Sequence, residues 1–214
     1  MTALTDALAD PRSSVRLQAV MAAGTTPDAG DLDVLVAQCT VEPDFFVRDM
    51  LTWALTRHPA DDVVPRVVRE LERPEPQARS QALHTLSKVG DPAVWPSVRP
   101  LLQDRDDEVL RASWRTAVAL VPDDERVDLA RTLAVQLGAG PRERRLSLSR
   151  SLVGLGEEIV SPVLEAAAAR GSEAVRDHVA DTERLLHDPD AASLLALERA
   201  RREVALGRTR SAKG

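Results

Sequence analysis

Four histidines, one cysteine and a scatter of serines and carboxylates are the groups of this chain that could do chemistry. No two of His58, His84, His178 and His187 stand four apart, so no helical pair of zinc ligands is offered. Cys39 is single, which permits neither an internal disulfide nor a thiolate cluster. Ser147, Ser149 and Ser151 alternate beside Arg145 and Arg150, but no histidine lies near them in sequence to act as a base. Asp61-Asp62 and Asp123-Asp124-Glu125 read as first-turn carboxylates at the electropositive ends of helices. Neither a glycine-rich phosphate loop nor a Gly-x-Ser-x-Gly elbow occurs. These patterns predict no catalytic residue, no cofactor and no metal.

One spacing does offer binding chemistry. Asp49, Trp53 and Arg57 stand four apart, so on a helix they share a face. An exposed tryptophan between a carboxylate and a guanidinium is the kind of side chain that anchors an interface. Packing between helices is the alternative fate of such a ring. Trp114 and Trp95 read as interior, the latter in line with Val98 and Leu102.

The elements that position these groups are helical. The chain has 214 residues, 43% apolar and 29% charged, enough to bury a core. Aromatic residues make up only 2%, with no tyrosine, whereas sheets draw on aromatic and β-branched side chains. Leu, Ala and Arg, all strong helix formers, dominate instead.

A period of about 32 residues runs through the sequence. An apolar-Arg pair opens a helical stretch at Val15-Arg16, Val47-Arg48, Ala78-Arg79, Leu110-Arg111 and Val175-Arg176, with Arg145 filling the wider gap. Three residues after each arginine comes Ala19, Leu51, Ala82, Trp114, Leu148 or Val179, and seven after comes Ala23, Leu55, Leu86, Val118 or Leu152. Gly90 and Gly156 follow at the eleventh position, where a helix ending with positive φ is expected. Pro65, Pro96 and Pro162 precede Arg79, Arg111 and Arg176 by a near-constant interval and mark a first helix with an early proline. Helix pairs are predicted over 2–24, 31–58, 61–90, 91–121, 124–156 and 157–187, then a final helix over 190–207 and a frayed tail.

With the third and seventh positions facing the core, the first and fifth lie on another side. The fifth gives Met21, Trp53, His84, Thr116 and Arg150; the first gives Leu17, Asp49, Ser80, Ala112 and Leu146. Arg57, Lys88 and Arg115 lie nearby. The partner-binding residues nominated are Asp49, Trp53, Arg57, His84, Lys88, Arg115 and Arg150.

The units resemble HEAT repeats, in particular the short bacterial kind first noted in phycobilin lyases. Asp10-Pro11-Arg12-Ser13-Ser14-Val15-Arg16, Asp104-Arg105-Asp106-Asp107-Glu108-Val109-Leu110-Arg111 and Pro76-Gln77-Ala78-Arg79 through Leu86 and Gly90 carry the resemblance. It covers roughly residues 2–189, with the fifth and sixth units departing from the pattern. The resemblance implies an all-α, right-handed α-solenoid of about six two-helix repeats over 1–189. The second helices would line its concave face, and 190–214 would form a capping helix and basic tail. It implies a non-enzymatic scaffold or adaptor that binds another protein or an extended peptide on that face. The alternative is a nucleic-acid-binding or base-excision protein, by resemblance to the helical-repeat alkylpurine DNA glycosylases, with Asp49 and Trp53 as the carboxylate and aromatic. Tetrapyrrole handling and a regulatory role follow more distantly from the phycobilin-lyase name.

Charge bears on these classes. The net charge is −6, which disfavours a general phosphate binder. Residues 190–214 carry Arg199, Arg201, Arg202, Arg208, Arg210 and Lys213 against Asp190, Glu198 and Glu203, a net +3 on an acidic body. No apolar run suits a membrane span, and no basic-then-apolar leader opens the chain, so a cytoplasmic monomer is expected.

Overall fold

Twelve α-helices and no strand occur among residues 3–188, the span that the computed structural model describes. The protein is all-α, and its helices fall into the expected pairs. They are α1 (Ala3–Leu8) with α2 (Ser13–Thr25), α3 (Leu32–Val41) with α4 (Phe45–Leu55), α5 (Ala60–Glu70) with α6 (Pro76–Val89), and α7 (Trp95–Val98) with α8 (Asp107–Leu120). Then come α9 (Arg126–Ala134) with α10 (Arg142–Gly154), and α11 (Glu157–Arg170) with α12 (Glu173–His187). The chain divides into two compact units between Arg126 and Val127. The predicted capping helix over 190–207, the basic tail and the boundary at 189 lie outside the described residues.

In the first unit the second helices pack in order, α2 on α4, α4 on α6 and α6 on α8, while α1 packs on α3 and α3 on α5. This is the stacking of a helical solenoid. In the second unit α12 packs on both α10 and α11. The seventh-position residues Ala23, Leu55, Leu86 and Leu152 are buried, as are Leu51, Ala82, Leu148 and Val179 at the third. Gly90 and Gly156 carry φ of 75° and 96° where α6 and α10 stop, a conformation that any Cβ disfavours. The fourth first helix departs from expectation. Pro92, Pro96 and Pro100 each withhold an amide donor, and the segment becomes α7 between two 3-10 turns, Pro92–Val94 and Arg99–Gln103.

The repeated arginine has a physical task. The carbonyls of the turn between paired helices belong to neither helix's ladder and need a donor from elsewhere. Arg16 Nη1 donates to the carbonyls of Asp10 and Pro11 at 2.9 and 3.2 Å. Arg48 does the same to Glu42 and Pro43, and Arg79 to Arg73 and Pro74, all at 2.8–2.9 Å. Arg176 Nη1 reaches Gly171 O at 2.7 Å. In each of these second helices the arginine stands four residues after the N-cap, which is Arg12, Asp44, Glu75 or Ser172.

That geometry corrects one member of the predicted series. The N-cap of α8 is Asp106, whose side chain accepts from Glu108 N and Val109 N, so Leu110 occupies the arginine's place. Arg111 is one residue late, and its Nε donates to Asp107 O within its own helix. The slip shows in the core, where Ala117 is buried and the predicted Val118 only half-buried.

Two of the arginines also reach a carboxylate in the next turn of the stack. Arg79 spans Asp104 at 3.2 Å through Nε and through Nη2. Arg16 Nε and Nη2 hold Glu42 at 2.8 and 2.6 Å, and Glu42 is 0% exposed. Gln38 Nε2 and Asp44 N complete its shell, each at 2.9 Å. Burial pushes the Glu42 carboxyl up, but the Arg16, Asp44 and Gln38 bonds outweigh it and hold it below its ordinary value. The position equivalent to Glu42 in the third pair is Arg73, so Arg48 meets no carboxylate there.

Glu42→Gln would leave a buried guanidinium without its counter-charge, and the expected loss is about 3–5 kcal/mol. Asp33→Asn, at the solvent-exposed pair with Arg66, should cost about 0–1 kcal/mol. Urea unfolding of the two variants distinguishes these cases. Because the folded value of Glu42 is depressed, its stabilisation is present above the unfolded-state value and is lost as pH falls through the folded one. Glu42→Gln should therefore flatten the acid side of the stability profile, and an unchanged profile would contradict the assignment.

Candidate partner-binding face

With register zero set at Arg16, Arg48, Arg79, Leu110, Arg145 and Arg176, a groove crosses α4, α6 and α8 at the first, second and fifth positions. Its volume is about 320 Å³, and Asp49, Ser80, Gln81, His84, Ala112 and Arg115 line it, with Phe45, Arg48 and Glu108 at the helix starts. Three nominated residues, Asp49, His84 and Arg115, are thus brought together from three helices. Trp53, Arg57 and Lys88 are not among the lining side chains, and Arg150 is an exposed residue of the second unit.

The electrostatics of the groove are mixed. His84 Nε2 stands 3.6 Å from Asp49 Oδ1, outside hydrogen-bond range. Burial pushes the His84 ring below its ordinary value, Lys88 adds to the effect, Asp49 opposes it and Arg115 reinforces it. Burial likewise lowers the Arg115 guanidinium, with Arg111 reinforcing and Glu108 opposing, and it remains a cation. Ser80 Oγ lies 3.4 Å from Glu108 Oε1.

Register corrects the predicted fifth-position set. Counted from the N-cap, that set is Met21, Trp53, His84, Arg115 and Arg150. Thr116 is buried instead, its hydroxyl shared between Leu83 O and Ala112 O at 2.9 Å each. Trp53 is both anchor-like and packed. It is 36% exposed, and its ring lies over Gly24 of α2. A Cβ at Gly24 would stand 2.8 Å from Trp53 Cε3 and 3.0 Å from the Ala54 Cα. Asp49 therefore faces α6 while Trp53 faces α2, and the two do not converge on one point. Sequence reasoning missed Phe45 and Phe46, which are 67% and 71% exposed and meet edge to face at the start of α4. Their adjacency in a chain with so few aromatics was the available signal.

Two sets of buried polar side chains bond to one another and to the backbone between second helices. Gln81 Nε2 donates to Arg48 O and Thr52 Oγ1 at 3.1 and 2.8 Å, and Thr52 Oγ1 meets Thr85 Oγ1 at 3.1 Å. In the second unit His178 Nε2 faces Arg145 O and Ser149 Oγ at 3.0 and 3.1 Å, and Ser149 Oγ meets Thr182 Oγ1 at 2.8 Å. Position for position the two networks coincide, with His178 in the place of Gln81. The structure thus supplies a histidine to Ser149 that lies far away in sequence. It is not a nucleophile-base pair. Gly138 N donates to His178 Nδ1 at 2.9 Å, so the ring proton sits on Nε2 and cannot be received there. Cys39 is equally inert, since burial pushes its thiol up to about 12.

Residues 47–119 match the HEAT repeat family. No curated protein matches the chain. Among solved structures, an engineered protein is 16% identical with a TM-score of 0.47, covering 86% of this chain and 94% of that one. A designed armadillo repeat protein is 12% identical with a TM-score of 0.45, covering 86% and 98%. Human deoxyhypusine hydroxylase in complex with glycerol is 20% identical with a TM-score of 0.46, covering 96% and 94%.

Gly24→Ala should displace the Trp53 ring, raise acrylamide quenching of tryptophan fluorescence and cost about 1–3 kcal/mol. Unaltered quenching would show that the ring does not rest on Gly24. His178→Leu strands the Gly138 amide, at an expected cost of about 1–3 kcal/mol. His178→Gln restores the arrangement made by Gln81 and should recover part of that loss in a thermal melt; equal losses would remove the equivalence of the two networks.

Proposed function

We propose that this chain, a HEAT-repeat protein over residues 47–119, is a non-enzymatic binding module that holds a partner protein on the second-helix face of α4, α6 and α8. HEAT repeats generally mediate protein interaction, and this repeat region spans those three helices. The observation that carries the reading is the groove lined by Asp49, His84 and Arg115 from the successive second helices α4, α6 and α8. Stacked repeats suit an extended partner, because each adds one stripe of side chains to a common surface. The exposed Phe45 and Phe46, with Trp53 partly exposed, add the large apolar side chains that contribute most to interface energy. Among the described residues no helix is long and apolar enough to cross a membrane.

A photo-crosslinking residue at position 84 tests this. It should capture a defined partner protein, whereas the same residue at exposed Arg69 of α5 should not. Capture from position 69 alone, or equal capture from both, would reject the second-helix face.

A further inference from the structure

The first unit, Met1–Arg126, holds 21 acidic residues against 14 basic ones, yet its unpaired cations are unevenly placed. Arg12, Arg66, Arg73, Arg99 and Arg126 have a carboxylate within 4 Å, and Arg16 and Arg79 grip theirs in the turns. Arg111 is bonded within α8. Among the described residues Arg48, Arg57, Lys88 and Arg115 have no such carboxylate; Arg48, Lys88 and Arg115 stand on second helices and Arg57 just past the end of α4. Only Arg69 and Arg105 share that condition elsewhere in the unit. Arg57 and Lys88 occupy the same register, nine residues after zero. The acids that line the groove with Arg48 and Arg115 are Asp49 and Glu108. An acidic unit thus presents one face on which positive charge is left uncompensated.

We propose that this face takes an acidic peptide segment of a partner protein, with carboxylates on Arg115, Lys88 and Arg57 and apolar side chains against Phe45, Phe46 and Trp53. The inference rests on the function proposed above and names the chemistry of the partner. Charge complementarity of this kind selects the partner and steers its approach. The mixed character of the face favours a peptide over a nucleic acid. A polyphosphate strand would have to lie beside Asp49 and Glu108 on a unit of net negative charge. An acidic peptide spaces its carboxylates and offers aliphatic side chains between them. Arg115 suits the role further, since it is already partly stripped of water and is set to gain from a bidentate carboxylate.

The test is fluorescence anisotropy of the full chain with a fluorescein-labelled peptide alternating Glu and Leu. Its Lys-Leu counterpart and a labelled single-stranded DNA serve as comparisons. The Glu-Leu peptide should bind, more weakly as salt rises. Arg115→Glu with Lys88→Glu should weaken it at least about tenfold. Arg69→Glu with Arg105→Glu, exposed cations off the face, should change it less than about twofold. Circular dichroism melts establish that both double variants remain folded. Absence of Glu-Leu binding, tighter binding of the Lys-Leu peptide or of DNA, or equal loss in both double variants would overturn the inference. The crosslinking experiment separates the two claims. A partner captured at position 84 through a segment without acidic residues sinks the acidic preference alone, whereas capture at position 69 only sinks the face itself.

Discussion

A guanidinium four residues into four of the second helices, α2, α4, α6 and α12, donating to carbonyls of the turn that follows the first helix, is the interaction on which this architecture depends. Those carbonyls lie in the linking turns, outside the ladder of either helix, so the guanidinium is the side chain that ties turn to second helix. Arg16, Arg48 and Arg79 meet two each. In doing so they fix the angle at which the second helix leaves the turn, and so which of its faces points where. The third and seventh positions then fall in the core, the second, fourth and sixth face a neighbouring second helix, and the first and fifth remain for the surface. The carboxylates of Glu42 and Asp104 extend the same contact from one pair to the next.

The contact between second helices is the less expected part. Leucine and alanine would fill it, and between α2 and α4 the lining is largely apolar, with Val20 and Ala54 fully buried and Gly24 letting the Trp53 ring come close. Between α4 and α6, and again between α10 and α12, a chain of hydrogen bonds runs instead. Buried hydroxyls and amides are costly unless every one is bonded, and here the bonds link side chain to side chain and to a backbone carbonyl. An apolar seam tolerates sliding, whereas this one is satisfied in a single register. Thr116 plays the same part between α6 and α8, where Leu83 leaves only its carbonyl to accept.

Much of this was legible in the sequence because packing imposes a period. The six helix pairs, the buried Trp95 and Trp114 and the positive φ of Gly90 and Gly156 all follow from residues that repeat. The errors arise where the period carries no information. Arg111 sits one place from the series, and only the Asp106 cap, a feature of backbone geometry, exposes the slip. The proline-rich fourth first helix reads as helical by its apolar spacing, yet three missing amides weigh more than the pattern. Ser149 and His178 are 29 residues apart, a separation that no local spacing reveals but that equals one repeat displaced by two positions. Asp49, Ser80, Ala112 and His84 were reached through register, and Arg115 as the neighbour of a position that register gave. Phe45 and Glu108 were not, because they precede the arginine and stand outside the positions counted from it.

The contrast between repeating and non-repeating positions bears on where recognition resides. At the seventh position the chain places Ala23, Leu55, Leu86 and Leu152, near-equivalents that a shared core demands. At the fifth it places Met21, Trp53, His84 and Arg115, four unlike chemistries in one geometric setting. Packing cannot account for that diversity, since the setting is the same and every one of them retains some contact with solvent. A surface with no task would be expected to carry small polar residues or self-paired charges, as the Arg66–Asp33 pair illustrates on the first helices. A row that juxtaposes a half-packed indole, an imidazole and a guanidinium without a carboxylate holds side chains that still present part of their surface to solvent. The same backbone that makes the core uniform therefore leaves the fifth position free to differ, and on the proposed function it is there that the chemistry of a particular partner would be written.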